Sequence, residues 1–371
     1  MSKERVVAFT GGGTGGHVFP ALAVIEELRA RGFDDFFWIG STSGVERSLV
    51  ERAGVPYYSV PTGKLRRYLS LRNITDLFRV LGGFLSSRRI LKKRRPTLLF
   101  SKGGFVSVPV VAAAGRLGVP VISHESDFDP GLATRINTRS SSLLITAYPE
   151  TAAFFGSRGA AVKVLGNPIR REVRHGSRDR GSALLAVEAD RPVLLVVGGS
   201  LGARQLNEVV GGELERLTQT FTVVHQRGDH PPVAEESARY RSSPFFGAEY
   251  GDILARSDLL LCRGGAGTLW EAAASRTPAV VIPLSGRASR GDQIRNAEYF
   301  ERKGGVVALS PDATAQEAVI AVEHLYGDRQ RYEETKAALA EIAAADAAVA
   351  IADEIEARLS GYGCSEAQGG V

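Results

Sequence analysis

Twice in this chain an apolar run of strand length ends in a cluster of glycines and a helical pattern follows. Val6 to Thr10 runs into GGGTGG at 11–16, and Val193 to Val197 runs into GGSLGA at 198–203. A glycine turn ahead of a helix removes side chains from the approach of a ligand and aims free backbone N–H groups at an anion. The repetition predicts an α/β chain of two Rossmann-like lobes, with a ligand in the cleft formed by the carboxyl ends of their strands. At 371 residues the chain is long enough for two cores of ordinary domain size.

Strand-length apolar runs alternate with amphipathic stretches almost throughout. Strands are expected near Phe36–Ile39, Thr97–Ser101, Val119–Ser123 and Leu143–Thr146, then near Thr222–His225, Asp258–Cys262 and Ala279–Pro283. Helices fit Val18–Arg31, Gly44–Ala53, Phe105–Leu117, Ala203–Leu217, Thr268–Ser275 and Asp292–Lys303. The basic stretch Arg170–Gly181 lies between the halves, with the crossing placed near Gly166–Pro168. This gives lobes at 1–165 and 166–342, a helix at 343–360 that packs back on the first lobe, and a frayed tail at 361–371.

Hydrophobic residues at 44% and charged residues at 23% exclude disorder as the main state. The formal charge of +5 favours anionic partners without naming one. Two cysteines, Cys262 and Cys364, make a disulfide framework improbable, and no zinc cluster is present. The N-terminus reads as a first strand and not as a signal peptide. No run of about 18 apolar residues supplies a bilayer span.

GGGTGG is neither a dinucleotide fingerprint nor a phosphate loop closing on Gly-Lys-Ser or Gly-Lys-Thr, so ATPase or GTPase hardware is missing. His17 follows it at once. At a helix head its imidazole suits a general base, or it caps and orients without moving a proton. His124 and Glu125 follow the strand Val119–Ser123, where they orient a sugar, tune a base, or are ordinary loop polarity. In the second half, RGGAGTLWE at 263–271 again follows a strand. Its amides suit a phosphate, while Glu271 can accept from ribose hydroxyls or simply favour the helix start. Gln293 and Asn296, at i and i+3, can face one opening, and amides of this kind suit hydroxyl recognition better than metal binding.

Between Lys64 and Arg95 the bases are Lys64, Arg66, Arg67, Arg72, Arg79, Arg88, Arg89, Lys92, Lys93, Arg94 and Arg95, against Asp76 alone. Among them Leu71, Ile74, Leu77, Phe78, Leu81, Phe84 and Leu85 make an apolar stripe. Such a stripe packs on a sheet or, with this charge, lies on anionic lipid. Without a nucleic-acid reading module, that partner is not expected.

In combination GGGTGGHVFPALAV, SKGGFVSVP, HESDFDPGLA, GNPIR, GGSLGARQLN, RGGAGTLWE and DQIRNA resemble the MurG-type family over roughly Val6 to Leu359. These are the UDP-N-acetylglucosamine:undecaprenyl-diphosphomuramoyl-pentapeptide N-acetylglucosaminyltransferases of bacterial peptidoglycan synthesis. The resemblance implies a two-lobe GT-B fold and an inverting, metal-independent reaction with no cofactor. In it N-acetylglucosamine passes from UDP-N-acetylglucosamine to the 4-hydroxyl of the muramoyl sugar of lipid I, giving lipid II and UDP. It implies His17 as base or acceptor-positioning residue with Glu125 in support. Arg170 and Ser200 would lie near the diphosphate, Glu271 at the ribose, and Gln293 with Asp127 near the sugar, with Asn296 supporting. Thr14, Gly15, Gly16, Gly265 and Thr268 belong to the implied substrate-binding turns. The implied setting is peripheral, on the anionic cytoplasmic face of the cell membrane, among cell-envelope synthesis proteins. Two stretches depart from the common family pattern: Ser126–Asp127 after His124–Glu125, and Asp292 before Gln293. They leave room for another polyprenyl-linked or glycolipid acceptor. A noncatalytic nucleotide-sugar-binding protein is the reading from a different class.

Overall fold

The computed structural model describes residues 5–44, 46–63, 72–188, 190–199, 202–286 and 291–365. The chain divides into two compact units, residues 1–168 with 345–371, and residues 169–344. In the first unit strands and helices alternate as β1 Val7–Thr10, α1 Phe19–Ala30, β2 Phe36–Ser41, α2 Glu46–Arg52, β3 Tyr57–Val60, α3 Arg72–Arg94, β4 Leu98–Ser101, α4 Ser107–Arg116, β5 Val121–Glu125, α5 Leu132–Asn137, β6 Leu143–Thr146, α6 Pro149–Gly156 and β7 Val162–Val164. The second unit holds α7 Arg171–Arg174, α8 Arg178–Leu185, β8 Val193–Val197, α9 Arg204–Thr220, β9 Thr222–Gln226, β10 Tyr240–Ser243, α10 Tyr250–Arg256, β11 Leu259–Cys262, α11 Ala266–Ser275, β12 Ala279–Val281, α12 Asp292–Arg302, β13 Val306–Ala308, α13 Ala315–Gly327 and α14 Arg329–Ile342. The last helix, α15 Ala347–Ser365, returns to the first unit.

Each unit has one sheet, ordered β3-β2-β1-β4-β5-β6-β7 in the first and β10-β9-β8-β11-β12-β13 in the second. Every pairing is parallel. Helices cover both faces of such a sheet, so its strands are apolar on both sides. β1, β2 and β4 are buried at every position. On one face of the first sheet Phe9, Trp38 and Phe100 pack beneath Val24, Ile25 and Leu28 of α1, and Ile351, Ile355 and Leu359 of α15 complete that core. The other face carries Leu91 of α3 and Val110, Val111, Ala113 and Ala114 of α4.

The strand order reverses between β1 and β4, and again between β8 and β11. Such a switch point opens a crevice, because the connections from its two strands leave to opposite faces. Thr10 pairs with Ser101, so GGGTGG and Lys102-Gly103-Gly104 leave the sheet side by side. In the second sheet Val197 pairs with Cys262, which sets Gly198-Gly199 beside RGGAGT.

Two expectations change. His124 and Glu125 do not follow their strand but end it: β5 runs through both, in register with Ile145 and Thr146 of β6. The ladder to β6 continues past Ser123, and its hydrogen bonds hold two polar residues in a buried strand end. The final helix runs to Ser365, five residues past the expected end at 360. A glycine costs a helix only about 1 kcal/mol, too little to end one already docked on α1.

Candidate active site

In the first unit the turn after β1 is held from two sides. Glu46, fully buried at the head of α2, accepts from the backbone N–H of Ser41 at 3.0 Å and of Gly13 at 3.3 Å, and from the Ser41 hydroxyl. From the other side comes the turn after β4. Gly104, at φ +78°, is so close that a Cβ there would sit 2.4 Å from the Gly12 carbonyl oxygen and 3.1 Å from the His17 ring. Only glycine satisfies both the backbone angle and the space.

Gly15, Gly16 and His17 form a 3₁₀ turn, with the His17 amide donating to the Thr14 carbonyl at 3.1 Å. The helix α1 starts two residues later with Pro20 in its first turn, where a missing N–H costs nothing. His17 therefore precedes the helix and does not occupy its first turn. Its half-buried ring lies against Gly104, at the switch point.

At the end of β5 the Glu125 carboxylate ties down the turn that follows. Oε1 accepts from the Asp127 amide at 3.1 Å, and Oε2 from the Gly131 amide at 3.0 Å and the Thr134 hydroxyl at 2.5 Å. Burial, and next the charge of Asp127, push its pKa up, against the hydrogen bond from Thr134 and the charge of Lys102. His124 is held neutral: burial, with Lys102 adding to it, pushes its pKa well below the usual range. With the Gly166 carbonyl 2.9 Å from Nε2, that nitrogen carries the proton.

Lys102, which the motif reading passed over, is 1% exposed. Its Nζ donates to the Ser126 hydroxyl at 2.5 Å, and Ser126 donates in turn to Asn167 Oδ1 at 2.5 Å. Its only sequence signal was a lysine directly after a buried strand, ahead of two glycines.

In the second unit two glycines of RGGAGT leave space open and one packs. A Cβ at Gly265 or Gly267 would meet nothing within 4 Å, whereas at Gly264 it would lie 2.3 Å from the Gln293 carbonyl oxygen. The first turn of α12 thus lies across Gly264. There Asn296 donates to the Gly264 carbonyl at 3.2 Å, and Gln293 Oε1 accepts from the Leu284 amide at 3.0 Å. That bond fixes the Gln293 side chain and leaves its NH₂ as the end suited to a ligand oxygen. The first intrahelical bond of α11 runs from Leu269 to Gly265, so the amides of Ala266, Gly267 and half-buried Thr268 lack an intrahelical acceptor. Arg263 braces the turn, donating to Gln205 Oε1 at 2.7 Å and the Ile282 carbonyl at 3.0 Å.

One turn along α11, Glu271 forms a two-pronged ion pair with Arg170. Nε donates to Oε1 at 2.7 Å and Nη2 to Oε2 at 3.0 Å, with the guanidinium 4.5 Å above the Tyr250 ring. Burial works against the Arg170 charge, but Glu271 more than offsets it and the pKa is raised. The pair joins two residues that the family resemblance assigns to different parts of one ligand, the diphosphate and the ribose. Ser200 lies outside the described residues. Among the described residues no group of three or more His, Cys, Asp or Glu is placed to hold a metal ion.

Residues 7–142 match the model of the glycosyltransferase family 28 N-terminal domain, and residues 193–351 that of its C-terminal domain. The UDP-N-acetylglucosamine–N-acetylmuramyl-(pentapeptide) pyrophosphoryl-undecaprenol N-acetylglucosamine transferase of Treponema denticola is 43% identical over 330 residues, covering 82% of this chain and 84% of that one. The chain belongs to the MurG family of glycosyltransferases. The Shouchella clausii protein of the same name is also 43% identical, over 88% of this chain and 93% of its own. A crystal structure of Acinetobacter baumannii MurG matches with a TM-score of 0.71 at 26% identity, over 95% of this chain and 99% of that one. The fold is therefore GT-B, with a Rossmann-like sheet in each unit, and the MurG-type motifs lie at both switch points.

Proposed function

We infer that this protein transfers N-acetylglucosamine from UDP-N-acetylglucosamine to the 4-hydroxyl of the muramoyl sugar of lipid I, releasing UDP and lipid II. The observation that carries the reading is 43% identity, across more than four-fifths of both chains, to enzymes named for that transfer. The site chemistry agrees with it. In this reading the second unit binds the nucleotide sugar: the amides at the head of α11 and Arg170 meet the diphosphate. Glu271 accepts from ribose on the lone pairs that Arg170 leaves, since a carboxylate offers about four such sites. Gln293 meets the sugar, with Asn296 holding the turn. The first unit presents the acceptor to His17, and Glu125 acts through the loop that it ties down. Purified protein offered UDP-N-acetylglucosamine with lipid I, and separately with other polyprenyl-linked sugars, tests the assignment. A product formed only from another acceptor would replace lipid I, and the acidic Asp127 is the residue that would then set the preference.

The leaving diphosphate is met by fixed amides and a guanidinium, so thorough chelation of divalent ions is expected to leave most turnover intact. A complete loss that one specific metal restores, in protein that stays folded, would overturn this.

The same reading sets the enzyme on an anionic membrane surface at the cytoplasmic face. Among the described residues no helix is long and apolar enough to cross a membrane. The support comes from α3. Its Leu91 is buried and Phe84 packs on the sheet, while Phe78, Leu81 and Leu85 are exposed at 69%, 54% and 46%. At 100° per residue those three fall on the same half of the helix as exposed Arg88, Arg89, Lys92 and Lys93. An apolar strip flanked by cations fits the boundary between headgroups and acyl chains. Lys64, Arg66, Arg67 and Leu71 of the basic segment lie outside the described residues. Replacing Arg88, Arg89, Lys92 and Lys93 by Gln is expected to weaken sedimentation with phosphatidylserine vesicles, by up to about 1 kcal/mol per residue and most at low salt. Equal sedimentation of parent and variant at both salts would reject this surface.

A further inference from the structure

An ammonium group buried as deeply as that of Lys102 needs a reason, because a charge out of water is costly unless paired. Its direct partner is a neutral hydroxyl, Ser126, which relays the bond to Asn167. The compensating charges are Glu125 and Asp127, and both favour the charged ammonium. Those carboxylates bracket Ser126 in the sequence, and Glu125 receives the Asp127 and Gly131 amides. Lys102 and this turn therefore form one unit in which a single cation serves two anions. Asp127 is also one of the residues that depart from the common family pattern.

We propose that Lys102 is a positioning residue for sugar transfer: its buried ammonium neutralises Glu125 and Asp127 and, through Ser126 and Asn167, fixes the turn that presents them. The proposal rests on the reading of that turn as sugar-facing. The titratable groups that act on Lys102 or feel it are His124 and Glu125 on β5 and Asp127 just after it, and His17 lies at the same turn, with its ring against Gly104. The first glycine turn reaches it through Gly11, which carries no charge. Of these groups His124 stays neutral. Burial pulls the Lys102 pKa down to about 8, and Glu125 and Asp127 keep it from falling further. Loss of that proton leaves two neighbouring carboxylates without a cation, so the turn loosens on the alkaline side.

The experiment is the pH profile of kcat/KM for transfer from UDP-N-acetylglucosamine to lipid I. The parent is expected to lose activity with an apparent pKa near 8. Asp127→Asn removes one carboxylate that holds the proton on, so this limb should move to lower pH by about one unit or more. In Lys102→Met the limb should disappear, at a reduced plateau, and Lys102→Arg should restore the plateau without the limb, since arginine does not titrate there. In Lys102→Met with Asp127→Asn the loss should be smaller than the sum of the two single effects. A role confined to packing would lower the plateau and leave the limb in place. An unmoved limb in Asp127→Asn overturns the proposal, and that variant serves even if Lys102→Met does not fold. UDP binding by calorimetry and lipid II formation by the parent at pH 7 test the functional reading separately: if either fails, the reading falls, whereas an unmoved limb with both intact rejects Lys102 alone.

Discussion

His17→Ala is expected to lower the chemical rate of sugar transfer by roughly 10²- to 10⁴-fold while UDP-sugar affinity stays close to that of the parent. In the proposed reaction the acceptor oxygen forms a bond to the anomeric carbon as the imidazole takes its proton, and the bond to the diphosphate breaks with its electron pair leaving on UDP. Attack opposite to departure turns an α-linked donor into a β-linked product. His17 is the candidate base because its half-buried ring stands at the β1–β4 switch point against Gly104. Its backbone is set by the 3₁₀ turn and by the Glu46 carboxylate that holds Gly13. Alanine removes the ring without touching those bonds. Single-turnover measurement at saturating lipid I, alongside donor affinity and a melting curve, decides the matter. A near-normal chemical rate would leave His17 an orienting role only.

The parts of this site that the sequence made legible are those fixed by local pattern. Glycines directly after an apolar strand mark a switch-point turn because the backbone geometry demands them there, and both turns at 11–16 and 263–267 lie where that pattern put them. Helix and strand cores such as Leu143–Thr146 and Val193–Val197 follow from uninterrupted apolar runs. β3, β7, β10 and β13 are the edge strands of the two sheets and are only partly buried, so no long uninterrupted apolar run marks them in the sequence. Contacts distant in sequence were hidden for a different reason. Lys102 meets Ser126 from the end of the neighbouring strand, Ser126 meets Asn167 from the end of the first unit, and Arg170 meets Glu271 within the second. Nothing local to a lysine or an arginine says which anion will be folded onto it, and a motif read as ligand-binding conceals that its residues also bind one another.

The Arg170–Glu271 pair makes the second large effect a double one. Glu271→Ala is expected to weaken UDP-sugar binding by a few kcal/mol, the scale of one or two hydrogen bonds to a charged group. It is also expected to lower stability, by at most about 3–5 kcal/mol, because the Arg170 guanidinium, only 16% exposed, loses its two-pronged carboxylate. For a unit of this size each kcal/mol is worth about 2–4 °C in Tm. Glu271→Gln keeps one acceptor oxygen of the same length, so both losses should be smaller. The two effects separate in Arg170→Met with Glu271→Ala: removing both charges together should recover much of the stability, since the buried guanidinium goes with the carboxylate it was paired to. Donor affinity should not recover, because the proposed acceptor for ribose and the proposed cation for the diphosphate are both gone. Calorimetric titration with UDP-N-acetylglucosamine and thermal unfolding of all three variants provide the comparison. If Glu271→Ala binds the donor as the parent does while melting lower, Glu271 is only the anchor of Arg170. If it melts like the parent but loses the donor, the ion pair contributes little to the fold and serves recognition alone.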